Sequence, residues 1–321
     1  MPGKRPMNSV DRGRARLRLW IRAPIGYAKR WSGRLREPYR HELSICAIFR
    51  EEAPFLDEWI AFHAGTGVTH FYLYNNFSTD DYCTVLKPWI AQGLVTLIDW
   101  PVPVGQLAAY RHCLKRARDE CRWLAFIDID EFLFSPQRTD IRPLLRSYSD
   151  LPGLDVWSVF FGSGGHVARP DLSVTEAYLK CAPWSRRASI KSIANPRMIY
   201  KVGVHRSKYW LYDSLDTSRH HVERFRQPVF DVLRINHYWS RSLEDLDTKV
   251  RRNDASTPQP RDPAWHAAFE KTLNSETDDS IVPIARAIRA GREYPSPDSA
   301  FGRDPGTGAP LPSKAGASAE P

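Results

Sequence analysis

Three acidic side chains stand almost side by side at the end of an apolar stretch, in the run Phe126-Ile127-Asp128-Ile129-Asp130-Glu131-Phe132. Carboxylates this close repel one another, and burying them is costly unless a cation compensates their charge. A hard divalent ion takes oxygen ligands and can bridge the phosphates of a substrate. On a strand, Asp128 and Asp130 would project to one side and Glu131 to the other. The triplet predicts a metal–diphosphate site; solvated loop acids or helix caps are the alternative.

The elements that must position this triplet alternate between strand and helix. Apolar runs at 43–49, 71–74, 95–98 and 123–129 predict strands, and the segments near 81–92 and 105–120 predict helices. Buried strands joined by helices indicate a parallel, doubly wound sheet, in which ligands bind at the carboxyl ends of strands. The polar residues at those ends are Arg50, Asn75 with Asp80, Asp99, and Asp128 with Asp130.

The pattern changes after residue 150. A strand predicted at 156–161 runs into the glycine-rich segment 162–165, and shorter strand-like segments follow at 189–193, 198–204, 209–211 and 229–236. The segment 242–252 predicts a helix, with Ser242 as its N-cap and acidic residues in its first turn.

Several motifs occur in a fixed order along this part of the chain. They are CAIFREEAPFLDEWI at 46–60, FYLYNNFSTDD at 71–81, FIDIDEF at 126–132, FGSGGH at 161–166, KSI at 191–193, VH at 204–205 and NHY at 236–238. Together they resemble glycosyltransferase family 92 and its bacterial relatives, from about residue 43 to about 250. The resemblance implies an α/β fold of the GT-A type, a Rossmann-like doubly wound mixed sheet that binds a nucleotide-sugar. It also implies inverting transfer of a sugar from a UDP-sugar.

This resemblance predicts one GT-A domain at 41–293, with a nucleotide-binding half at 41–135 and an acceptor half at 136–293. Residues 1–40 would form a basic N-terminal arm. The tail at 294–321 is rich in Pro, Gly, Ser and Ala, and we expect it to be disordered.

The resemblance also implies roles for individual residues. Asp130 would bind Mn²⁺ or Mg²⁺ directly, Asp128 would contact the ribose or a metal-bound water, and His237 would complete the metal site. The residues expected to face the nucleotide-sugar are Arg50, Asn75, Asp80, Gln106, Arg111 and Asp128. Asn75 stands where the family often has Asp, and Arg111 is equally consistent with a surface arginine on its helix.

Inverting transfer needs a general base near the acceptor hydroxyl. Glycines at 162–165 let the backbone approach a ligand closely, and His166 follows them directly. His166 is therefore the first candidate for the base. Glu176, His205 and Asp213 remain open, because spacing alone does not place them.

Charge is distributed unevenly along the chain. Residues 1–40 carry a net charge of +10, whereas the remaining residues carry −1. A nucleic-acid-binding domain would carry its basic patch on the folded surface, so this distribution argues against a nucleic-acid partner. Aromatic and aliphatic residues are interleaved with the basic ones in the arm, which predicts either contact with an anionic membrane surface or a solvated disordered arm.

The remaining sequence features bear on location and on alternative functions. Five cysteines form no CxxC pair, which predicts free thiols in a reducing compartment, and no apolar run reaches the length of a transmembrane helix. We expect a cytoplasmic protein, peripheral at the inner face of the membrane, that uses a nucleotide-sugar donor and a saccharide or glycolipid acceptor. The alternatives are a non-catalytic saccharide- or membrane-binding protein on the same fold, and a metal-dependent hydrolase, for which no HxH or HExxH motif is present.

Deleting residues 1–40 should weaken binding to anionic vesicles and leave turnover of a soluble acceptor unchanged. Each basic residue near an anionic surface contributes about 1 kcal/mol. Co-sedimentation with phosphatidylserine vesicles measures the effect, and neutral phosphatidylcholine vesicles are the control. Equal sedimentation of the truncated and full-length chains would contradict the membrane role of the arm.

Overall fold

The computed structural model describes residues 24–28, 39–183, 188–222, 227–252, 255 and 257–294. Most of the basic arm and all but the first residue of the predicted tail lie outside these described residues, so both of those expectations stay predictions. Among the described residues, no helix has the length and apolarity needed to cross a bilayer.

Twelve strands and nine helices are assigned within the described residues. The strands are β1 (His41–Phe49), β2 (His70–Asn75), β3 (Val95–Asp99), β4 (Cys121–Phe126), β5 (Glu131–Phe134), β6 (Gly153–Phe161), β7 (Lys180–Cys181), β8 (Ala188–Ala194), β9 (Ile199–Lys201), β10 (Lys208–Tyr209), β11 (Arg234–Tyr238) and β12 (Glu276–Thr277). The helices are α1 (24–28), α2 (Ala53–Gly65), α3 (Tyr82–Ala91), α4 (Gln106–Glu120), α5 (Arg142–Arg146), α6 (Val174–Ala177), α7 (Leu243–Arg251), α8 (Pro263–Lys271) and α9 (Val282–Arg289).

Most of the strands form one mixed sheet in the order β12-β7-β6-β8-β4-β1-β2-β3. β1 pairs in parallel with both β2 and β4, and β2 pairs in parallel with β3. β8 is antiparallel to its neighbours β4 and β6, and β11 pairs in parallel with β6 and antiparallel with β5. The four predicted parallel strands and the mixed GT-A sheet are confirmed.

Side chains alternate between the two faces of the parallel strands and enter two separate cores. On β1, Leu43 and Ile45 point into a core shared with Trp59 of α2. Cys46 points the other way, into a core shared with Tyr110 of α4. Period-two alternation with both faces covered by helices explains why these strands are apolar throughout.

The two aspartates of the acidic triplet lie at a turn, and Glu131 is the first residue of the next strand. β4 ends at Phe126, residues 127–130 form a turn in which the Glu131 amide donates to the Asp128 carbonyl at 3.0 Å, and β5 begins at Glu131. The prediction that the strand continues to residue 129 was wrong, because the chain must reverse here to pair β5 with β11. Strand alternation therefore does not place Asp128 and Asp130 on one side. The strand predicted at 229–236 likewise begins only at Arg234.

Two predicted helices and a predicted N-cap agree with the structure, whereas the strand-like segments at 198–204 and 209–211 are found only in part, as β9 and β10. The helices near 81–92 and 105–120 are confirmed as α3 and α4, and Ser242 caps α7 in a reciprocal capping box with Asp245. None of the five cysteines, all of which lie within the described residues, forms a disulfide bond, and four of them are buried.

His63 supports the start of β5 from the opposite side of the sheet. Its Nδ1 bonds to the Trp59 carbonyl at 2.8 Å, and its Nε2 accepts the Leu133 amide at 3.0 Å. This pattern requires a neutral ring, and complete burial lowers the pKa of His63 to about 3. The uncharged ring of His63 thus holds the backbone at Leu133, two residues beyond the triplet.

We expect the protein to lose stability as the pH falls below about 6.5, the pKa of unfolded histidine. The unfolded chain takes up a proton in this range and the folded chain does not, so stability is complete above 6.5 and declines toward the folded pKa of about 3. The contribution of one such group is about 1.4 kcal/mol per pH unit. His63→Gln, which keeps an acceptor for Leu133, should reduce the slope by that amount in urea unfolding at pH 4.5–6. The exposed control His220→Gln should leave the slope unchanged, and an unchanged slope in His63→Gln would contradict the role of His63.

Candidate active site

A cleft of about 480 Å³ opens beside the ends of β1, β4 and β11. Asp128 and Asp130 line it together with His237, which lies about a hundred positions later in the sequence. A smaller cavity of about 230 Å³ shares Asp130 and Lys249 with the larger cleft. The topology therefore brings the predicted metal-binding residues to one place.

Asp128 is held by several donors. Its Oδ2 accepts from Lys191 Nζ at 2.7 Å, and its Oδ1 accepts from Gln106 Nε2 at 3.0 Å and the Tyr110 hydroxyl at 3.3 Å. Lys191 Nζ also lies 3.1 Å from Glu131 Oε2. Burial alone would lower the pKa of Lys191, but the two carboxylates raise it, so the ammonium stays charged. Asp128 is therefore fixed in orientation before any ligand arrives.

Asp130 is paired with a different lysine. Its Oδ2 lies 2.6 Å from Lys249 Nζ and 3.4 Å from His237 Nε2. Burial opposes ionisation of Asp130, yet Lys249 and His237 hold its pKa well below the usual range. Desolvation in turn lowers the pKa of Lys249, whose ammonium also lies 4.3 Å above the Trp239 ring.

Arginine side chains hold the turn between the two aspartates. Arg241 Nη2 donates to the Ile129 carbonyl at 3.0 Å, and its Nη1 donates to Glu52 Oε2 at 2.6 Å. Arg252 contacts the other oxygen of Glu52. Burial would raise the pKa of Glu52, but these two guanidinium groups lower it. The carboxylate of Glu52 therefore stays ionised beside the turn.

Four acidic and four basic side chains meet in this cluster. The acidic ones are Glu52, Asp128, Asp130 and Glu131, and the basic ones are Lys191, Arg241, Lys249 and Arg252. Burial raises the pKa of Glu131 even though the Lys191 ammonium lies beside it. Lysine and arginine thus compensate the acids that the sequence argument assigned to a metal ion. Sequence reasoning missed these cations. Lys191 lies in the matched motif KSI, but no local pattern singles out Lys249 or Arg241.

The donor set fits a divalent ion only in part. Within the part of the chain that the structure describes, no group of three or more His, Cys, Asp or Glu side chains is arranged to hold a metal. Asp130 and His237 supply two adjacent donors on one wall of the cleft. Mg²⁺ is commonly bound by one or two carboxylates together with substrate phosphates. The arrangement therefore fits an ion held jointly with a diphosphate, once Lys249 moves away from Asp130.

The residues predicted to contact the nucleotide are divided between the cleft and other contacts. Arg50 and Gln106 line the cleft. Asn75 donates to Tyr82 and Asp99 and does not line the cleft. Asp80 accepts the Ala53 amide at the start of α2 at 2.7 Å and lines the smaller cavity but not the larger cleft. Arg111 is exposed on α4 and is also absent from the cleft wall.

The candidate bases are also separated. His166 packs edge-on against Tyr178, with ring centroids 5.7 Å apart, and does not line the cleft. Glu176 is paired with Arg286 and Arg289, which lower its pKa to about 2, and Asp213 is exposed. His205 is the one candidate of the four that lines the cleft.

The glycine-rich segment before His166 is bound to the end of α8. Ser163 donates through both its amide and its hydroxyl to Glu270 Oε1, and the Gly164 amide donates to Asn274. A Cβ at Gly162 would lie 2.4 Å from Asn274 Oδ1. Close approach within the protein therefore accounts for this glycine.

Comparison with known proteins identifies relatives over most of the described chain. Residues 40–261 match glycosyltransferase family 92. A family 92 protein of Oryza sativa subsp. japonica is 31% identical over 216 residues, covering 65% of this chain and 36% of the relative. The Caenorhabditis elegans protein named beta-1,4-galactosyltransferase galt-1 is 25% identical over 229 residues, covering 63% and 49%.

Among solved structures, S. aureus TarS aligns with a TM-score of 0.31 and 12% identity, covering 49% of this chain and 48% of that chain. The chain spans between about a third and a half of the length of the curated relatives it matches. The family match covers more than half of the 321 residues and includes Asp128, Asp130 and His237. The chain therefore belongs to glycosyltransferase family 92.

Proposed function

We propose that the chain is a glycosyltransferase that moves a sugar from a UDP-sugar to an acceptor hydroxyl with inversion. The observation that carries this proposal is the meeting of Asp130, His237 and Lys249 on one wall of the cleft. Family membership and the galactosyltransferase name of a relative support the same reaction class.

The donor diphosphate would lie against Asp130, His237 and Lys249. Asp130 and His237 would hold Mn²⁺ or Mg²⁺, and such an ion neutralises charge that develops on a departing diphosphate. Lys249 would exchange Asp130 for a phosphate oxygen, because its ammonium is paired with only one carboxylate and lines the cleft. Asp128, whose orientation Gln106 and Lys191 fix, would face the ribose.

The acceptor hydroxyl must lose its proton as its oxygen attacks the anomeric carbon and the bond to the diphosphate breaks. His205 is favoured over His166 as the base because it lines the cleft. Desolvation and the Lys191 ammonium lower the pKa of His205, so its imidazole is neutral and able to accept a proton near pH 7.

The identity of the transferred sugar can be measured on the purified protein. The sugar that moves is tested directly by screening UDP-sugars for hydrolysis in the presence of Mn²⁺. UDP binding without hydrolysis or transfer of any UDP-sugar would instead support the non-catalytic saccharide-binding alternative.

Asp130→Asn should weaken Mn²⁺-dependent UDP binding by at least about tenfold, because loss even of groups that only support a metal ligand costs that much. Calorimetric titration with UDP, in Mn²⁺ and in EDTA, measures the change. The exposed control Asp247→Asn should match the unmodified chain. Lys249→Met keeps the carboxylate and should retain the Mn²⁺ dependence, which separates loss of the ligand from loss of the buried ion pair. UDP affinity that is insensitive to both EDTA and Asp130→Asn would remove the metal from the proposal.

His205→Ala should lower the transfer rate by about 10²–10⁴-fold, the usual contribution of a general base, with little change in UDP affinity. In the unmodified chain the rate should fall at acidic pH, below the usual histidine pKa, because protonation of His205 removes the base. His166→Ala is the matched comparison and should retain most activity. The opposite ranking of the two variants would restore His166 as the base.

A further inference from the structure

The wall of the cleft next to the charged cluster is aromatic. Trp239, Trp265, Phe160 and Phe269 all line it, and we call these four residues the aromatic wall. Trp265 is 51% exposed although it stands among other rings. About half of this large apolar surface is therefore not buried by the protein itself and is available to a ligand.

The aromatic wall is a packed assembly. Trp265 is stacked on Phe269, with centroids 5.0 Å apart and planes inclined by 8°. Phe269 meets Trp239 edge-on at 5.2 Å and Phe160 edge-on at 5.8 Å. Because one face of Trp265 is covered by Phe269, the open surface of Trp265 has a fixed direction.

The backbone under Trp265 is also well defined. Trp265 lies in the first turn of α8, where the Asp262 side chain caps the helix by accepting the Ala264 amide at 2.9 Å and Pro263 occupies the start. A cap and a proline in the same turn make this an ordered position for an exposed ring.

The aromatic wall adjoins the groups proposed to hold the diphosphate. The Lys249 ammonium, which pairs with Asp130, lies 4.3 Å above the Trp239 ring, and the Trp239 and Trp265 centroids are 6.4 Å apart. A sugar attached to the diphosphate would thus reach Trp239, and a second sugar beyond it would reach Trp265.

We propose that Trp265, supported by Phe269, is an acceptor subsite that stacks against the apolar face of a neutral pyranose ring. A pyranose presents C–H groups on its face and hydroxyls at its rim, which suits an open ring in a polar cleft. A uracil base would also stack, but Arg50 and Gln106, the nucleotide candidates in the cleft, belong to the ends of β1 and α4 and not to α8. The acceptor role of this subsite rests on the proposed function, whereas saccharide binding at Trp265 can be measured independently of it.

The test is saccharide binding by saturation-transfer difference NMR and calorimetry, with UDP and Mg²⁺ present. The probes are β-1,4-linked galactotetraose, methyl β-galactoside and methyl β-glucoside, with octyl glucoside added to detect an alkyl-chain occupant. At least one of the three sugars should bind with its strongest transfer at the ring C–H protons. Trp265→Ala should weaken that binding by about tenfold, the upper value for one aromatic contact, and Trp265→Phe should retain most of it.

Tyr212→Ala is the matched control, because Tyr212 is equally exposed at 51% and does not line the cleft. UDP affinity and the melting temperature should stay unchanged in all three variants. Failure of every sugar to bind the unmodified chain at tens of millimolar would overturn the proposal. So would a loss of UDP affinity in Trp265→Ala, which would assign the ring to the nucleotide, or octyl glucoside binding that the sugars do not displace.

Different results would overturn the Trp265 subsite and the proposed glycosyltransferase activity. UDP-sugar hydrolysis with sugar binding that Trp265→Ala does not alter would overturn the subsite and leave the proposed function intact. Sugar binding that depends on Trp265, in a chain that neither hydrolyses nor transfers any UDP-sugar, would support the saccharide subsite and overturn the proposed function.

Discussion

The pairing of four acidic with four basic side chains, at the turn between β4 and β5, is the constraint on which the site depends. Lys191 reaches the turn from β8, Arg241 from the segment after β11, and Lys249 from α7. Removing one partner of a buried pair leaves an uncompensated charge and typically costs about 3–5 kcal/mol. The cluster therefore fixes three distant segments of the chain around the ends of the parallel strands, and with them the width of the cleft.

Charge balance also determines how the cluster can respond to a ligand. Under the proposed function, a donor diphosphate would add negative charge to a site that already holds four acidic side chains, so one of the basic side chains would have to turn to it or a metal ion would have to be supplied. Lys191 bridges Asp128 and Glu131 and is almost fully buried, whereas Lys249 pairs with one carboxylate, donates to the Trp239 carbonyl at 2.9 Å and lines both cavities. In the proposed function, Lys249 would therefore be the cation that turns to the diphosphate. Its departure would leave Asp130 beside His237 as a pair of donors for a divalent ion.

The sequence predicted those parts of the fold that local patterns determine. Apolar strands, the helices α3 and α4, and the N-cap at Ser242 follow from residue types within a few positions, and all were confirmed. The end of β4 was not predictable in this way, because it depends on the pairing of β5 with β11 about a hundred residues later. Asp128 meets Lys191 across 63 positions and Asp130 meets Lys249 across 119. Such partners become visible only when the sheet topology is known, and the same holds for the separation of His166 from the cleft.

The two ends of the cleft are built differently, and this difference bears on specificity. The end near Arg50, Gln106 and Asp128 rests on strands and a helix inside the segment 40–261 that matches the family. Trp265 and Phe269 lie just beyond that segment, on a helix of nine residues that packs against Trp239 and against α7. If Trp265 is an acceptor subsite, as proposed, a substitution at this exposed ring would change the surface that the acceptor meets and leave every ion pair of the charged cluster in place. A substitution in the cluster itself would leave an uncompensated charge, which typically costs about 3–5 kcal/mol. The acceptor end of the cleft can therefore change at lower energetic cost than the charged end.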